Sequence, residues 1–420
     1  MRVDKHKQQG RIRYRFFLLG LTLLSLTLAG VWILELWNRV PSDIRVRAGQ
    51  AEGLNFYLPA TATIYKEDKE TLLNVNLNRE LTFYGEEEGS YTMEVQLFGL
   101  IPFKEASLSV IQDTRLTPVG TPIGIYVHTR GVLVVDTGEF EDERGKEVAP
   151  AKGVLKSGDY IETINGTVLE DKGQLMEMVA DSEGKTLSLE VKRDGEYMNL
   201  DILPGKNQQG EYKLGIWVRD NAQGIGTMTF VDESGYFGAL GHGINDMDTA
   251  QLMELKAGGL YKTEIVAINK GRAGNPGELS GVIAYAEKNR LGEILQNSYR
   301  GIYGKVETEG VELKEEAMPI ALKQEIEEGP AQILCTLMGS PSYYEVEILK
   351  INEENSQINR GLEIKVTDEE LLEITGGIIQ GMSGSPIIQN GKLVGAVTHV
   401  MVNDPTRGYG IFIEEMLGYN

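Results

Sequence analysis

The 420-residue sequence predicts a mainly β chain of several domains behind one N-terminal transmembrane helix. Three observations carry that reading. Phe16–Leu34 holds 19 consecutive residues without a charge, about the length that crosses a bilayer as a helix. Beyond it, short apolar runs alternate with turns drawn from the chain's 50 glycines, the rhythm of strands rather than of helical bundles. A single cysteine, Cys335, excludes an intrachain disulfide, so every domain must hold together by packing.

Taken in order, residues 1–15 form a basic segment with Arg2, Lys5, Lys7, Arg11, Arg13 and Arg15. Basic residues before an apolar helix place the N-terminus in the cytoplasm and the bulk outside. The anchor is expected over 16–37, with Trp32 and Trp37 at the far interface. Its length, and the lack of a small-residue cleavage site after it, favour an uncleaved anchor over a signal peptide. Residues 1–40 hold seven Lys/Arg against two acids, so the part beyond them carries −26 against −21 for the whole chain. An acidic exterior repels phosphate backbones, and no nucleic-acid partner is expected.

Residues 42–115 read as a small β domain, with alternation in Ile44–Arg47, Leu72–Leu77 and Tyr91–Leu97. Residues 116–205 read as strands at Ile123–Val127, Gly131–Val135 and Leu187–Arg193 with a short helix at Gln174–Val179. The stretch Gly153-Val-Leu-Lys-Ser-Gly-Asp-Tyr-Ile-Glu-Thr-Ile-Asn-Gly166 resembles a PDZ domain. Such domains take a peptide C-terminus or an internal strand by adding it to a sheet edge. The resemblance places that contact at Ile123, Gly124 and Ile125. Residues 206–420 hold many short apolar runs between glycine turns, the pattern of a closed β-barrel architecture. Cys335 sits in the apolar run Ala331–Met338 and is expected to be buried rather than reactive.

The strongest chemical signal is Gly381-Met-Ser-Gly-Ser-Pro386. A seryl nucleophile needs a tight turn that presents its hydroxyl and aims backbone N–H groups at a developing oxyanion. Glycines on both sides of Ser383 permit one. The stretch resembles the nucleophile loop of trypsin-like peptidases. That likeness implies Ser383 as nucleophile and the N–H groups of Gly381 and Ser383 as the oxyanion hole. Gly391–Val400 resembles the pocket strand that follows in that superfamily, which implies supporting roles for Thr398 and His399. The chain has four histidines. His6 precedes the anchor, and His128 lies in a strand-like run. His242, in Gly238-Ala-Leu-Gly-His242, stands where trypsin-like enzymes carry their base. An imidazole with an ordinary pKa near 6.5 can take and return the seryl proton at neutral pH. An orienting carboxylate could come from Asp246, Asp248 or Asp368. No cofactor and no metal is expected.

Three stretches, Gly238–Gly243, Thr375–Pro386 and Val402–Phe412, together with the order of basic start, anchor, PDZ and peptidase, resemble the SpoIVB peptidase family of endospore-forming bacteria. The resemblance implies a trypsin-like double β-barrel and a His242, Asp368, Ser383 triad. It implies an enzyme outside the forespore membrane, in the space between forespore and mother cell. There it would cut a membrane-bound regulator of an intramembrane protease, trigger late sigma-factor activation and release itself by self-cleavage. A general HtrA-type quality-control protease and a catalytically silent PDZ adaptor are the alternatives.

Overall fold

The structure, a computed structural model, describes residues 2–66, 71–307, 311, 313–337, 339–352 and 357–418. The side chains of residues 2–13, His6 and five basic groups among them, and Met338 lie outside that description. The chain divides into two compact units, Met1–Thr114 and Arg115–Asn420.

The first unit begins with helix α1, Arg2–Asn38. Its stretch Tyr14–Asn38 is long and apolar enough to cross a membrane. Leu36 and Val40 at its end join a core with Ile44, Val46, Leu58 and Leu108. Five strands make the larger sheet of this unit, in the spatial order Asp43–Arg47, Ile101–Ile111, Gly89–Leu97, Ala60–Lys66, Thr71–Asn76. In Ile44–Arg47 both faces are buried, not one. Arg45 pairs with Asp43 at 2.6 Å and Arg47 with Glu52 at 2.9 Å, which makes burying the two guanidinium groups tolerable.

The second unit contains the trypsin-like pair of barrels that the sequence predicts. The first barrel uses β1 (Pro122–Thr137), β2 (Ile216–Val231), β3 (Tyr236–Ala239), β4 (Leu255–Asn269), β5 (Arg290–Ser298) and β6 (Gly301–Val306). Their antiparallel pairings run in a ring, β1–β4–β5–β6–β3–β2 and back to β1. The second barrel closes from β7 (Gly329–Cys335), β8 (Ser342–Ile351), β9 (Leu362–Val366), β10 (Pro386–Gln389), β11 (Lys392–Met401) and β12 (Asp404–Phe412). Alternate residues of β8 and β9, such as Val346, Ile348, Leu362, Ile364 and Val366, fill its core. β10 and β11 are buried on both faces. Their outer residues Ile388, Leu393 and Ala396 pack on Phe230 and Tyr303 of the first barrel, and this apolar seam joins the two. Truncating Ile388 or Leu393 to Ala costs about 2–5 kcal/mol.

The boundary expected at 205/206 falls elsewhere. The peptidase fold opens near residue 115, where Arg115–Pro118 pairs with β2, and the module read as PDZ is inserted into the first barrel. Ile123–Val127 and Gly131–Val135, expected as two strands, are one 16-residue strand. Gly131, at φ +70°, bends it, and a Cβ there would lie 2.5 Å from the Ile161 carbonyl. The upstream half of β1 belongs to the barrel, and the downstream half runs into the inserted module. That module packs Val132, Val134, Ile161, Leu189 and Val191 beneath helix α2 (Lys172–Asp181). Asp171 caps the helix by accepting the Gln174 N–H at 2.8 Å, and Leu175 and Val179, one turn apart, face the core. Ile123, Gly124 and Ile125 are therefore not an open peptide-binding edge. Gly124 lies opposite Ile225 of β2 on one side and Tyr261 of β4 on the other, so both edges of that strand are taken.

Candidate active site

The nucleophile loop leads into β10. Gly381 and Gly384, at φ +97° and +99°, set its turn. A Cβ on Gly384 would sit 2.0 Å from the Thr227 carbonyl oxygen, so only glycine fits there. Two threonines of β2 hold the loop from the opposite barrel. The Thr227 hydroxyl donates to the Gly381 carbonyl at 2.8 Å, and the Thr227 N–H donates to the Ser383 carbonyl at 2.9 Å. The Thr229 hydroxyl donates to the Gly384 carbonyl at 2.8 Å. With the loop's carbonyls held outward, the N–H groups of Gly381 and Ser383 donate to no acceptor among the described residues. Two amides on a locked turn, with no acceptor of their own among the described residues, are the kind of donor an oxyanion requires.

His242 enters from the turn after β3. Leu240 and Gly241 take φ of +70° and +67° to bring it round. Gly241 lies on the second barrel, where a Cβ would meet Thr398 and Ile411 at 2.9 Å. His242, Ser383 and Gly381 line one cleft of about 290 Å³ with Gln223, Gly224 and Ile225 of β2. The sequence-predicted base, nucleophile and oxyanion donor are thus brought together. Ser385, the motif's other serine, is fully buried.

The hydrogen bonds describe a resting arrangement. Ser383 Oγ donates to the Thr398 carbonyl at 2.7 Å rather than to the imidazole. His242 Nδ1 lies 2.9 Å from the Gly243 carbonyl. A carbonyl only accepts, so Nδ1 carries the proton and Nε2 keeps its lone pair, the tautomer a general base needs. Burial holds the His242 pKa below the usual 6.5, opposed by its bond to Gly243. The His399 ring lies 5.1 Å from that of His242. Desolvation, then the neighbouring His242 and Arg360, lower its pKa to about 4.

Asp368 is not brought to His242, which corrects the expected triad. Its carboxylate caps helix α3 (Glu369–Thr375), accepting the Leu371 N–H at 2.9 Å and the Glu345 N–H at 3.2 Å. Asp246 and Asp248 are bound instead by Arg219, which also lies off the imidazole. Thr398 likewise does not support the base. Its hydroxyl donates to the Asn359 carbonyl at 2.6 Å. Asn359, which sequence reasoning missed, bridges the barrels by donating to the carbonyls of Gly241 and Tyr299, both at 2.7 Å. No motif marks an asparagine in a single 3₁₀ turn. Burial raises the Cys335 thiol pKa to about 12, which makes it inert.

Two antiparallel six-stranded barrels with a serine and a histidine facing one cleft between them define the class: a chymotrypsin-like peptidase fold. Residues 210–417 match the family "SpoIVB peptidase S55", and this part of the chain is similar to that family. Among curated proteins, the putative zinc metalloprotease LL2128 of Lactococcus lactis subsp. lactis (strain IL1403) is 42% identical over 62 residues, 15% of this chain and 14% of that protein. The chain thus spans only a small part of that relative. Among solved structures, the inactive form of Rv3671c protease is 16% identical, covering 46% of this chain and 81% of that one at a TM-score of 0.27. The active form, from M. tuberculosis, is 15% identical over 47% and 72% at 0.26. The HtrA-type protease AlgW with a decapeptide is 12% identical over 48% and 53% at 0.28.

Proposed function

We propose that this chain is a membrane-anchored serine endopeptidase acting through Ser383 and His242. One observation carries the reading: the seryl hydroxyl, the imidazole and two unused amide N–H groups share one cleft. In the first step a rotation about the Ser383 Cα–Cβ bond moves the hydroxyl from the Thr398 carbonyl to His242 Nε2. Nε2 takes the proton as Oγ bonds to the scissile carbonyl carbon, and the carbonyl π pair moves to oxygen, held by the N–H groups of Gly381 and Ser383. The C–N bond then breaks, and the imidazolium returns its proton to the leaving amine. Water repeats the sequence on the acyl-enzyme. The Gly243 carbonyl does part of what a carboxylate does elsewhere. It fixes the tautomer, but with less charge to stabilise the imidazolium.

The likeness to the SpoIVB peptidase family supports a biological setting. We infer that the chain acts in sporulation outside the forespore membrane, cutting a membrane-bound regulator of an intramembrane protease and also cutting itself, with the inserted module serving as a PDZ domain. The apolar helix Tyr14–Asn38 supports the anchoring. A fluorophosphonate probe tests the chemistry. Labelling of the wild-type chain that Ser383→Ala abolishes is expected, and a chain that never takes the label is an adaptor instead. For the setting, expression of residues 42–420 with His242→Ala and Ser383→Ala controls should yield self-cleavage fragments in the wild type alone. Fragments that persist in both controls would remove self-cleavage from the account.

A further inference from the structure

The first unit carries a second apolar feature besides its helix. Strands Gly89–Leu97 and Ile101–Ile111 are joined by the turn Phe98-Gly99-Leu100. From Val95 to Phe103 nine successive residues bear no charge, although the chain beyond residue 40 carries −26. Phe98, Leu100 and Ile101 are exposed, Leu100 at 83%. Tyr57 is exposed in the neighbouring loop, which the Phe98 N–H reaches by donating to the Pro59 carbonyl at 2.8 Å. Phe98 and Tyr57 also take φ of +55° and +48°. Left-handed turn positions suit glycine, asparagine and aspartate, and a bulky aromatic is strained there. Neither ring is buried, so packing within the unit does not offset that strain.

The direction of the turn follows from its neighbours. Asp43 lies opposite Ser107 in a parallel pair of strands. Lys104 Nζ donates to the Val40 carbonyl at 2.6 Å, and the Phe103 ring meets that of Trp37 edge-on at 5.4 Å. Running back from Asp43 through Val40 to Trp37, the chain thus passes Ser107, Lys104 and Phe103 in order. The turn lies beyond Phe103 in the same direction, on the side from which the helix comes. The 25 residues of Tyr14–Asn38 measure about 38 Å at about 1.5 Å per residue, more than the roughly 30 Å of a hydrocarbon core. Trp37 therefore falls at the far interface, with the Lys104 ammonium 5.1 Å from the centre of its ring, and indole and ammonium both suit that level. Leu100 stands four residues before Lys104, about 13 Å along the strand towards the bilayer.

We propose that this turn dips into the leaflet from which the helix emerges, as a second, non-spanning foothold. Tyr57, Phe98, Leu100 and Ile101 lodge where headgroups meet acyl chains. The inference rests on the membrane-anchor reading above and adds a lipid contact to the exterior portion. A single helix holds the unit at the membrane but leaves it free to turn about the helix axis. A hairpin inserted beside the helix fixes that rotation as well. The occupant is acyl chain rather than anionic headgroup, because the turn bears no cation and Lys104 is engaged by the carbonyls at the end of the helix.

The test uses the full chain in phosphatidylcholine vesicles, with a nitroxide on one introduced cysteine at a time. Cys335 is buried and stays unlabelled. Leu100→Cys and Phe98→Cys report on the turn, and Leu28→Cys, within the helix, reports on the anchor. Tyr84→Cys reports on water, for Tyr84 adjoins Gly85, which lies against Val110 at the far end of the strand. All four side chains are exposed, so the fold tolerates the labels. Collisions with oxygen, which gathers in lipid, and with a nickel chelate, which stays in water, give the depth of each label. Labels at Leu100 and Phe98 should sit about 5–10 Å below the headgroup surface, with Leu28 deeper and Tyr84 in water. Leu28 in lipid, with Leu100 and Phe98 as wet as Tyr84, would overturn the foothold and leave the anchor. Labels on the turn closed to both oxygen and nickel would show a protein covering it, and would overturn the lipid assignment. Leu28 in water would overturn the anchor reading and the foothold with it.

Discussion

The nucleophile loop and the base-bearing turn are both built on left-handed residues, yet they are held in opposite ways. Ser383 sits on a loop fixed by three hydrogen bonds from Thr227 and Thr229 of the other barrel. Among the described residues the His242 ring makes one hydrogen bond, donated by Nδ1 to the carbonyl of the next residue in the chain. On the proposed reading the amides of Gly381 and Ser383 are therefore set before a substrate arrives, while the hydroxyl and imidazole still have to meet. Rigid electrostatics with a movable proton pair describes an enzyme that rests uncocked and is completed by its substrate.

The largest effect that can break this contrast is Ser383→Ala, which should lower peptide cleavage by more than about 10⁴-fold; residual activity near wild type would move the nucleophile elsewhere. Next comes Gly384→Ala. Its Cβ collides with the Thr227 carbonyl at an unfavourable φ, so we expect more than about 3 kcal/mol of lost stability in denaturant titration. Thr227→Val keeps the shape and removes one clamp. It should cost about 1–2 kcal/mol of stability and roughly tenfold in labelling rate, because the Gly381 carbonyl is left unpaired.

Asp368 separates the structure from the triad that sequence likeness implies. As a helix cap it should lose about 1 kcal/mol on Asp368→Ala and almost nothing on Asp368→Asn, since asparagine caps equally well. As a triad acid it would lose about 10⁴-fold in turnover on Asp368→Asn. The smallest effect is on pH dependence. The imidazole must be neutral to accept the seryl proton, and burial depresses its pKa. The labelling rate should therefore fall in acid with its midpoint below pH 6.5. A midpoint above 6.5 would show that a carboxylate faces His242.

Much of this site was legible from local sequence. Ser383 and His242 each lie beside glycines that permit one unusual turn, and a turn is a property of a few neighbouring residues. What was not legible depends on distant pairing. Ile123–Val127 and Gly131–Val135 read as two strands, but β2, some ninety residues later, pairs along both halves of β1 and keeps it one strand. That pairing moves Ile123–Ile125 out of the peptide-binding role and into a barrel wall. Asp368 fits a triad by order in the chain, yet Leu371 and Glu345 claim its carboxylate by proximity. Asn359 joins Gly241 to the strand bearing Thr398 across more than a hundred residues, which no short motif records.

The central claim is that Ser383 is activated by His242 with a backbone carbonyl, not Asp368, fixing the imidazole. Fluorophosphonate labelling of the full chain, with the adduct mapped by mass spectrometry and its rate compared across variants, tests it most directly. The account predicts one adduct, on Ser383, that disappears in His242→Ala and forms at close to the wild-type rate in Asp368→Asn. An adduct on another residue, or a rate that collapses in Asp368→Asn while the protein stays folded, would contradict it.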